Sequence, residues 1–206
     1  MTHAMRKSPR SSTHFWQIPI SFVWVILSLA IIRPEPADAS FNQSDFCNSR
    51  DYQVVRLSNS PLQATSILEL QRTQGDVKVI VDSDRLTPRD LQNIANTGAI
   101  LIIHTATTRI SPRDIQNIQR SSGNVGLFVN SNRISTSDLQ NLAGDGVQLL
   151  IDVAATDLSA SAIQTIQRSS GRVTLIVNSS RPGEQAINAL IQDGIRISDS
   201  SGCAGA

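Results

Sequence analysis

The nonapeptide Leu86-Thr-Pro-Arg-Asp-Leu-Gln-Asn-Ile94 returns almost unchanged as Ile110-Ser-Pro-Arg-Asp-Ile-Gln-Asn-Ile118, which sets a 24-residue period. Other copies keep the same spacing; they begin at Ile134 and Leu158, with a degenerate copy at Leu62 and a truncated one at Pro182. A period of this length indicates one supersecondary unit that is used several times along the chain.

Each repeat is predicted to begin with a short helix. Thr87 is a natural N-cap, Pro88 suits the first helical position, and Asp90 completes a capping box. A glycine follows each helix, where it can adopt the left-handed conformation that ends helices. These glycines are Gly98, Gly123, Gly146 and Gly171.

A run of β-branched residues after each glycine predicts a strand. The predicted strands cover residues 53–57, 77–81, 101–105, 125–129, 149–153, 173–177 and 195–198. Strands that alternate with helices pair in parallel through right-handed crossovers, which place all helices on one face of the sheet. The sequence therefore predicts an α/β fold, a parallel βα repeat of about seven strands and six helices.

The strand face that points away from the helices repeats only in every second copy. Its mid-strand apolar residues alternate between two heights: Ile80, Phe128 and Ile176 at one, Ile102 and Leu150 at the other. Such staggered layers are typical of a βα barrel. A soluble monomer rarely exposes so large an apolar patch, so a small closed or nearly closed barrel is the preferred prediction.

An open horseshoe solenoid is the alternative. The segment Leu127-Phe-Val-Asn-Ser-Asn132-Arg-Ile134 resembles the Leu-x-Val-x-x-Asn-x-Ile core of bacterial leucine-rich repeats, and the 24-residue spacing is similar to one class of that family. The resemblance covers residues 57–197. It implies a sheet whose concave face is open and binds a ligand.

The N-terminus has the three parts of a secretory signal. A basic start precedes an apolar run over residues 18–32, and Ala37-Asp-Ala39 provides the small residues that a signal peptidase requires. We expect cleavage after Ala39 and export to the periplasm or the extracellular space; an uncleaved membrane anchor is the other possibility. The predicted segments are a signal peptide at 1–39, a cap segment at 40–52, the repeat domain at 53–198 and a tail at 199–206.

The two cysteines lie on either side of the repeat domain. In an oxidising compartment, Cys47 and Cys203 could form a disulfide that closes the whole domain. Two free or intermolecular thiols are the other possibility.

Composition excludes several functions. The chain has 18 basic and 17 acidic residues, without a basic run in the repeats, which argues against nucleic-acid binding. The sequence has no dinucleotide-binding glycine motif, Walker loop or metal-ligand spacing, so no cofactor is predicted.

The carboxyl ends of the predicted strands carry a ring of polar side chains on the inner face. Its members are Arg56, Asp82, His104, Asn130, Asp152 and Asn178. Ligands of βα folds bind at this edge. His104 is a candidate acid or base oriented by Asp152, with Asp82 as a second carboxylate and Arg56 as a holder of an anionic group.

Two further features of this edge bear on ligand binding. Asn130 and Asn178 are candidate ligand-binding residues, although asparagines there also cap turns. Arg109 and Arg133 belong to a series of arginines, one in each of several repeats, that could attract anions at the rim.

Two functions remain open at this point. The first is an exported repeat domain that binds a protein or a small anionic ligand at the rim, since short connections leave little room for an elaborate active site. The second is a small hydrolase or lyase that uses His104, Asp152, Asp82 and Arg56. A purely structural envelope component is a third possibility.

Overall fold

The computed structural model describes residues 52–170, 172–177 and 183–198. These residues form seven strands: β1 (Gln53–Arg56), β2 (Val77–Val81), β3 (Ile100–His104), β4 (Val125–Val129), β5 (Gln148–Asp152), β6 (Val173–Ile176) and β7 (Arg196–Ser198). Six helices alternate with the strands: α1 (Ala64–Gln74), α2 (Pro88–Ala95), α3 (Pro112–Ser122), α4 (Thr136–Gly144), α5 (Ala160–Ser170) and α6 (Glu184–Gln192).

The seven strands form one parallel sheet in sequence order, β1 to β7. The predicted α/β class, the parallel pairing and the number of elements are confirmed. The predicted bounds hold for β2 and β4, whereas β3 and β5 each begin one residue earlier than the sequence indicates.

The register between neighbouring strands alternates. Gln53 on β1 pairs with Val77, its equivalent in the next repeat, but Lys78 on β2 pairs with Ile100 and not with its own equivalent, Ile102. The same two offsets alternate through the other four junctions. A sheet must stagger its strands in this way to curl into a barrel, whereas identical units stacked in a solenoid would keep one offset.

Both faces of the sheet are buried in its central strands. The helix face belongs to the main core, which includes Leu101, Leu127 and Leu149. The opposite face forms a second apolar cluster, here called the inner cluster, of Ile100, Ile102, Leu150 and Ile176 with Tyr52 and Phe128 packed against it. Because Ile102 and Leu150 are each only 1% exposed, this face is not an open concave surface.

The described chain is therefore a small α/β barrel that is nearly closed. Among the described residues, the strand pairing runs from β1 to β7 without a β7 to β1 pair. Val54 on β1 and Ile197 on β7 are 39% and 37% exposed, as expected for the two edges of the sheet.

The predicted helix signals are confirmed where the structure describes them. Thr87 forms a capping box with Asp90, and Ser111 and Ser135 cap α3 and α4 in a similar way. Gly98, Gly123 and Gly146 all have positive φ, the conformation that favours glycine.

A glutamine near the end of alternate helices distinguishes one repeat from the next. Gln71, Gln119 and Gln167 accept hydrogen bonds from the first backbone N–H of the following strand, at 3.0, 3.0 and 3.1 Å. Their helices α1, α3 and α5 have 11 residues, while α2 and α4 have 8 and 9 and carry Ala95 and Ala143 at the equivalent position. The structural unit is thus a pair of repeats.

Replacing Gln119 with alanine is expected to lower the free energy of unfolding by about 1–3 kcal/mol, because the buried Val125 N–H loses its acceptor. Chemical denaturation measures this change. Gln116 lies on the same helix and makes no hydrogen bond to a strand in the described residues, so Gln116→Ala serves as the control. Equal losses in the two variants would contradict the assigned role of Gln119.

Several predicted features lie outside the described residues. They are the signal peptide with its cleavage site, most of the cap segment, the tail, Cys47, Cys203, Gly171 and Asn178. Export and the disulfide therefore stay predictions. None of the described helices is long and apolar enough to cross a membrane.

Candidate functional site

Three of the predicted polar residues lie together at the carboxyl ends of β1, β2 and β3. Arg56 ends β1, Asp82 directly follows β2, and His104 ends β3. Val81 pairs with Ile103, which places Asp82 beside His104 on adjacent strands. Because His104 lies two positions after Ile102 on the same strand, its side chain is on the inner face.

Asp82 is the most fully bonded member of this group. Its Oδ2 accepts hydrogen bonds from Arg56 Nη1 at 3.1 Å and from Ser58 Oγ at 2.7 Å, and its Oδ1 accepts one from the Ser58 backbone N–H at 2.8 Å. Burial alone raises the pKa of Asp82, but the Ser58 hydrogen bonds and the Arg56 charge outweigh it, so the pKa falls below 3.8. Asp82 is therefore ionised at neutral pH and poorly suited to act as a base.

His104 is buried and keeps one ring nitrogen unused. Its residue exposure is 5%, and within the described residues Nε2 has no hydrogen-bond partner. Burial is the main reason that the pKa of His104 falls to about 4. The negative charge of Asp82 raises this pKa, and the positive charge of Arg56 lowers it further. The imidazole is thus neutral at pH 7.

The position of His104 is fixed from two sides. The ring meets Phe128 edge to face, with 4.9 Å between the ring centroids. Thr108 donates to the His104 carbonyl through its Oγ1 at 2.6 Å, which holds the end of β3 against the following turn. A buried ring nitrogen without a partner costs about 1–3 kcal/mol, a cost that a bound water or ligand would remove.

Asp152 does not orient His104 as the sequence suggested. Its Oδ1 accepts from the backbone N–H of Ala154 at 2.9 Å, within its own turn, and the described residues show no bond between Asp152 and His104. Phe128 on β4 lies between their strands. The carboxylate whose charge acts on His104 is that of Asp82, because β2 is the adjacent strand.

Asn130 ties two loops together. Its Oδ1 accepts from the Ala106 backbone N–H at 2.9 Å, as Asp82 does from Ser58 one pair of repeats earlier. Asn130 therefore caps a turn, which is one of the two roles that its place in the sequence indicates.

The two predicted rim arginines differ. Arg133 donates through Nη1 to the carbonyl oxygens of Thr105 and Thr108, so its guanidinium joins two turns of the chain. The side chain of Arg109 is 88% exposed, and its Nε lies 3.8 Å from Asp84 Oδ2. Both residues are exposed, but Arg133 is bonded to the neighbouring turn, whereas the Arg109 side chain extends into solvent.

Two cavities lie away from this edge, on the helix side of the described residues, and both are small. One of about 130 Å³ is lined by apolar residues such as Ile103 and Leu127 and by Arg133, and one of about 270 Å³ lies near Leu62 and Asp90. Ligand pockets usually measure about 300–1,000 Å³. The residues described here also hold no group of three His, Cys, Asp or Glu side chains that could bind a metal ion.

The sequence matches no protein-family model and no curated protein. Among solved structures, the native KDPGal structure aligns with 71% of this chain and 69% of its own, at 16% identity and a TM-score of 0.41. The YdjI aldolase from Escherichia coli K12 aligns with 71% of this chain and 72% of its own, at 9% identity and a TM-score of 0.31. These likenesses transfer no activity and no site residue to this chain.

The predicted resemblance to leucine-rich repeats is wrong, and so is the description of the chain as a ligand-binding repeat of that kind. The physical reason lies in the alternating register and in the buried inner cluster, which exclude an open horseshoe. The Leu127 to Ile134 pattern reflects only that both folds place an apolar strand before a polar turn. An exported repeat domain that binds a ligand or a protein has no support from these comparisons.

Proposed function

We propose that this protein is a small lyase that acts on a carbonyl compound at the carboxyl edge of β3 to β5. The observation that carries the proposal is the buried, neutral His104, whose Nε2 has no partner among the described residues. Nε2 is shielded from solvent in the described chain, so a substrate must displace a covering side chain to reach it. In the tautomer with its proton on Nε2, the imidazole then donates a hydrogen bond to the carbonyl oxygen of that substrate. Such a donor stabilises negative charge that develops on that oxygen.

Asp152 is the best placed proton acceptor. It ends β5, two strands from His104 and two residues beyond Leu150, which the register places level with His104, so the separation is roughly 12 Å at the usual strand spacing and rise. Its Oδ1 binds Ala154 N–H, and within the described residues its Oδ2 makes no hydrogen bond. Phe128 on the strand between them would form the apolar floor under a small substrate.

The chemistry of the step is proton abstraction next to the carbonyl. Asp152 removes a proton from the carbon, the C–H electron pair moves toward the carbonyl oxygen, and His104 stabilises the resulting enolate through its hydrogen bond. From an enolate of this kind a lyase breaks the carbon–oxygen bond on the neighbouring carbon, and the hydroxyl group leaves as water after taking a proton from solvent. The same enolate is the product when a carbon–carbon bond of a β-hydroxy carbonyl compound is cleaved, and it then takes up a proton.

Exchange of carbon-bound protons in D₂O tests the proposal without knowledge of the full substrate. Proton NMR follows deuterium incorporation into a panel of small aldehydes and ketones, with and without the full-length protein. We expect exchange to slow by about 100-fold in His104→Gln and in Asp152→Asn, the size typical for loss of one such catalytic group. Asp157→Asn removes another rim carboxylate and is expected to retain the wild-type rate.

The lyase proposal would be abandoned if the protein did not accelerate exchange for any compound in the panel. Equal rates in the wild type and both site variants would also contradict it. Thermal unfolding of each variant shows that a lost rate is not lost folding.

A further inference from the structure

The Arg56 and Asp82 side chains form an ion pair at the edge of the proposed site. Arg56 Nη1 lies 3.1 Å from Asp82 Oδ2, and the two side chains are 29% and 7% exposed. Each charge is compensated by the other at this contact. Asp82 already occupies Nη1 with a carboxylate, so an anionic ligand would have to compete with Asp82 for Arg56.

The equivalent position one pair of repeats later shows what the turn itself requires. Asn130, the counterpart of Asp82 there, accepts a backbone hydrogen bond from Ala106 just as Asp82 accepts one from Ser58. The turn thus needs a side-chain oxygen but not a charge. The two positions differ in the neighbouring strand of the sheet. β1, which precedes Asp82, ends in Arg56, whereas β3, which precedes Asn130, ends in His104.

We propose that Asp82 determines specificity, and that by neutralising Arg56 it makes the site select uncharged carbonyl or hydroxyl compounds over carboxylates and phosphates. The inference deepens the proposed function and rests on the same site at His104. A carboxylate bound near His104 would lose its hydration and find no uncompensated positive charge there, because Asp82 pairs with Arg56 and the imidazole is neutral. A neutral carbonyl oxygen costs far less to desolvate.

Acetamide and acetate test this selectivity, because they have nearly the same shape and differ in charge. The readout is the imidazole resonance of His104 in NMR titrations of the full-length protein at pH 7 and constant ionic strength. The chain has three histidines, so the spectrum of His104→Gln assigns the signal. Inorganic phosphate serves as a third probe.

In the wild type we expect acetamide to shift the His104 signal at concentrations about tenfold lower than acetate or phosphate. In Asp82→Asn the order is expected to reverse, because Arg56 loses the carboxylate on Nη1. This variant introduces the residue that the chain itself uses at position 130, so the hydrogen bond from Ser58 N–H can persist. Asp84→Asn removes a charge from the same loop, where the carboxylate accepts from the Arg109 N–H, and is expected to keep the wild-type order.

Tighter binding of acetate or phosphate than of acetamide by the wild type would overturn the inference. An unchanged order in Asp82→Asn, with the fold intact by circular dichroism, would overturn it too, as would a His104 signal that no probe moves. These results are separable from failure of the lyase proposal. A site that binds acetamide selectively but catalyses no exchange contradicts only the proposed activity.

Discussion

Replacing Leu150 with alanine is expected to lower the free energy of unfolding by about 2–5 kcal/mol, the usual cost of truncating a fully buried leucine. Leu150 is 1% exposed and belongs to the inner cluster, on the face opposite the helices. The loss follows from the closed interior, since a leucine on an open concave sheet would cost far less. Urea or guanidinium denaturation measures the change.

Ile191→Ala is the control for this experiment. Ile191 is 51% exposed on α6, so its truncation is expected to change stability by less than about 0.5 kcal/mol. If Leu150→Ala proved as mild as Ile191→Ala, the inner face would have to be accessible to water and the barrel description would be incorrect.

A second large effect is expected on acidification, through His104. Burial lowers the pKa of His104 from 6.5 to about 4, so the unfolded chain binds a proton in this range that the folded chain does not. Stability therefore decreases as the pH falls from about 6.5 toward 4, by about 3 kcal/mol in total, and this contribution is constant above that range. Asp82 affects stability at lower pH. Because its pKa is depressed in the folded chain, the stability that ionised Asp82 contributes is lost only below about pH 3.8.

The measurement is the free energy of unfolding against pH for the wild type and His104→Gln. The variant lacks the titrating ring, so the two curves should run parallel above pH 6.5 and converge or cross as the pH approaches 4. Curves that stay parallel over the whole range would show that His104 is not held neutral in the fold.

Sequence reasoning was strongest where local chemistry specifies the structure. The cap at Thr87 and the left-handed glycines are encoded by single residues, and the structure confirms them. The two staggered heights on the second strand face were also visible, because burial leaves an apolar signature at fixed spacing.

The contacts within the site were harder to predict from the sequence, because the register between strands decides which side chains meet. Equivalence between alternate repeats placed Asp152 with His104, but β4 lies between their strands, and Asp82 on the adjacent β2 exerts the stronger influence. The role of Gln119 was missed altogether, although glutamine recurs at that position in every second repeat and alanine stands in between. That recurrence was the signal that could have revealed it.

The paired register limits how such a chain can change its length. Loss or gain of a single repeat would set two strands of the same type side by side, so that the glutamine of a long helix would face the wrong neighbour. Insertion or deletion of two consecutive repeats preserves every junction. We therefore expect repeats of this architecture to be duplicated two at a time. Related barrels should differ in size by whole pairs of repeats.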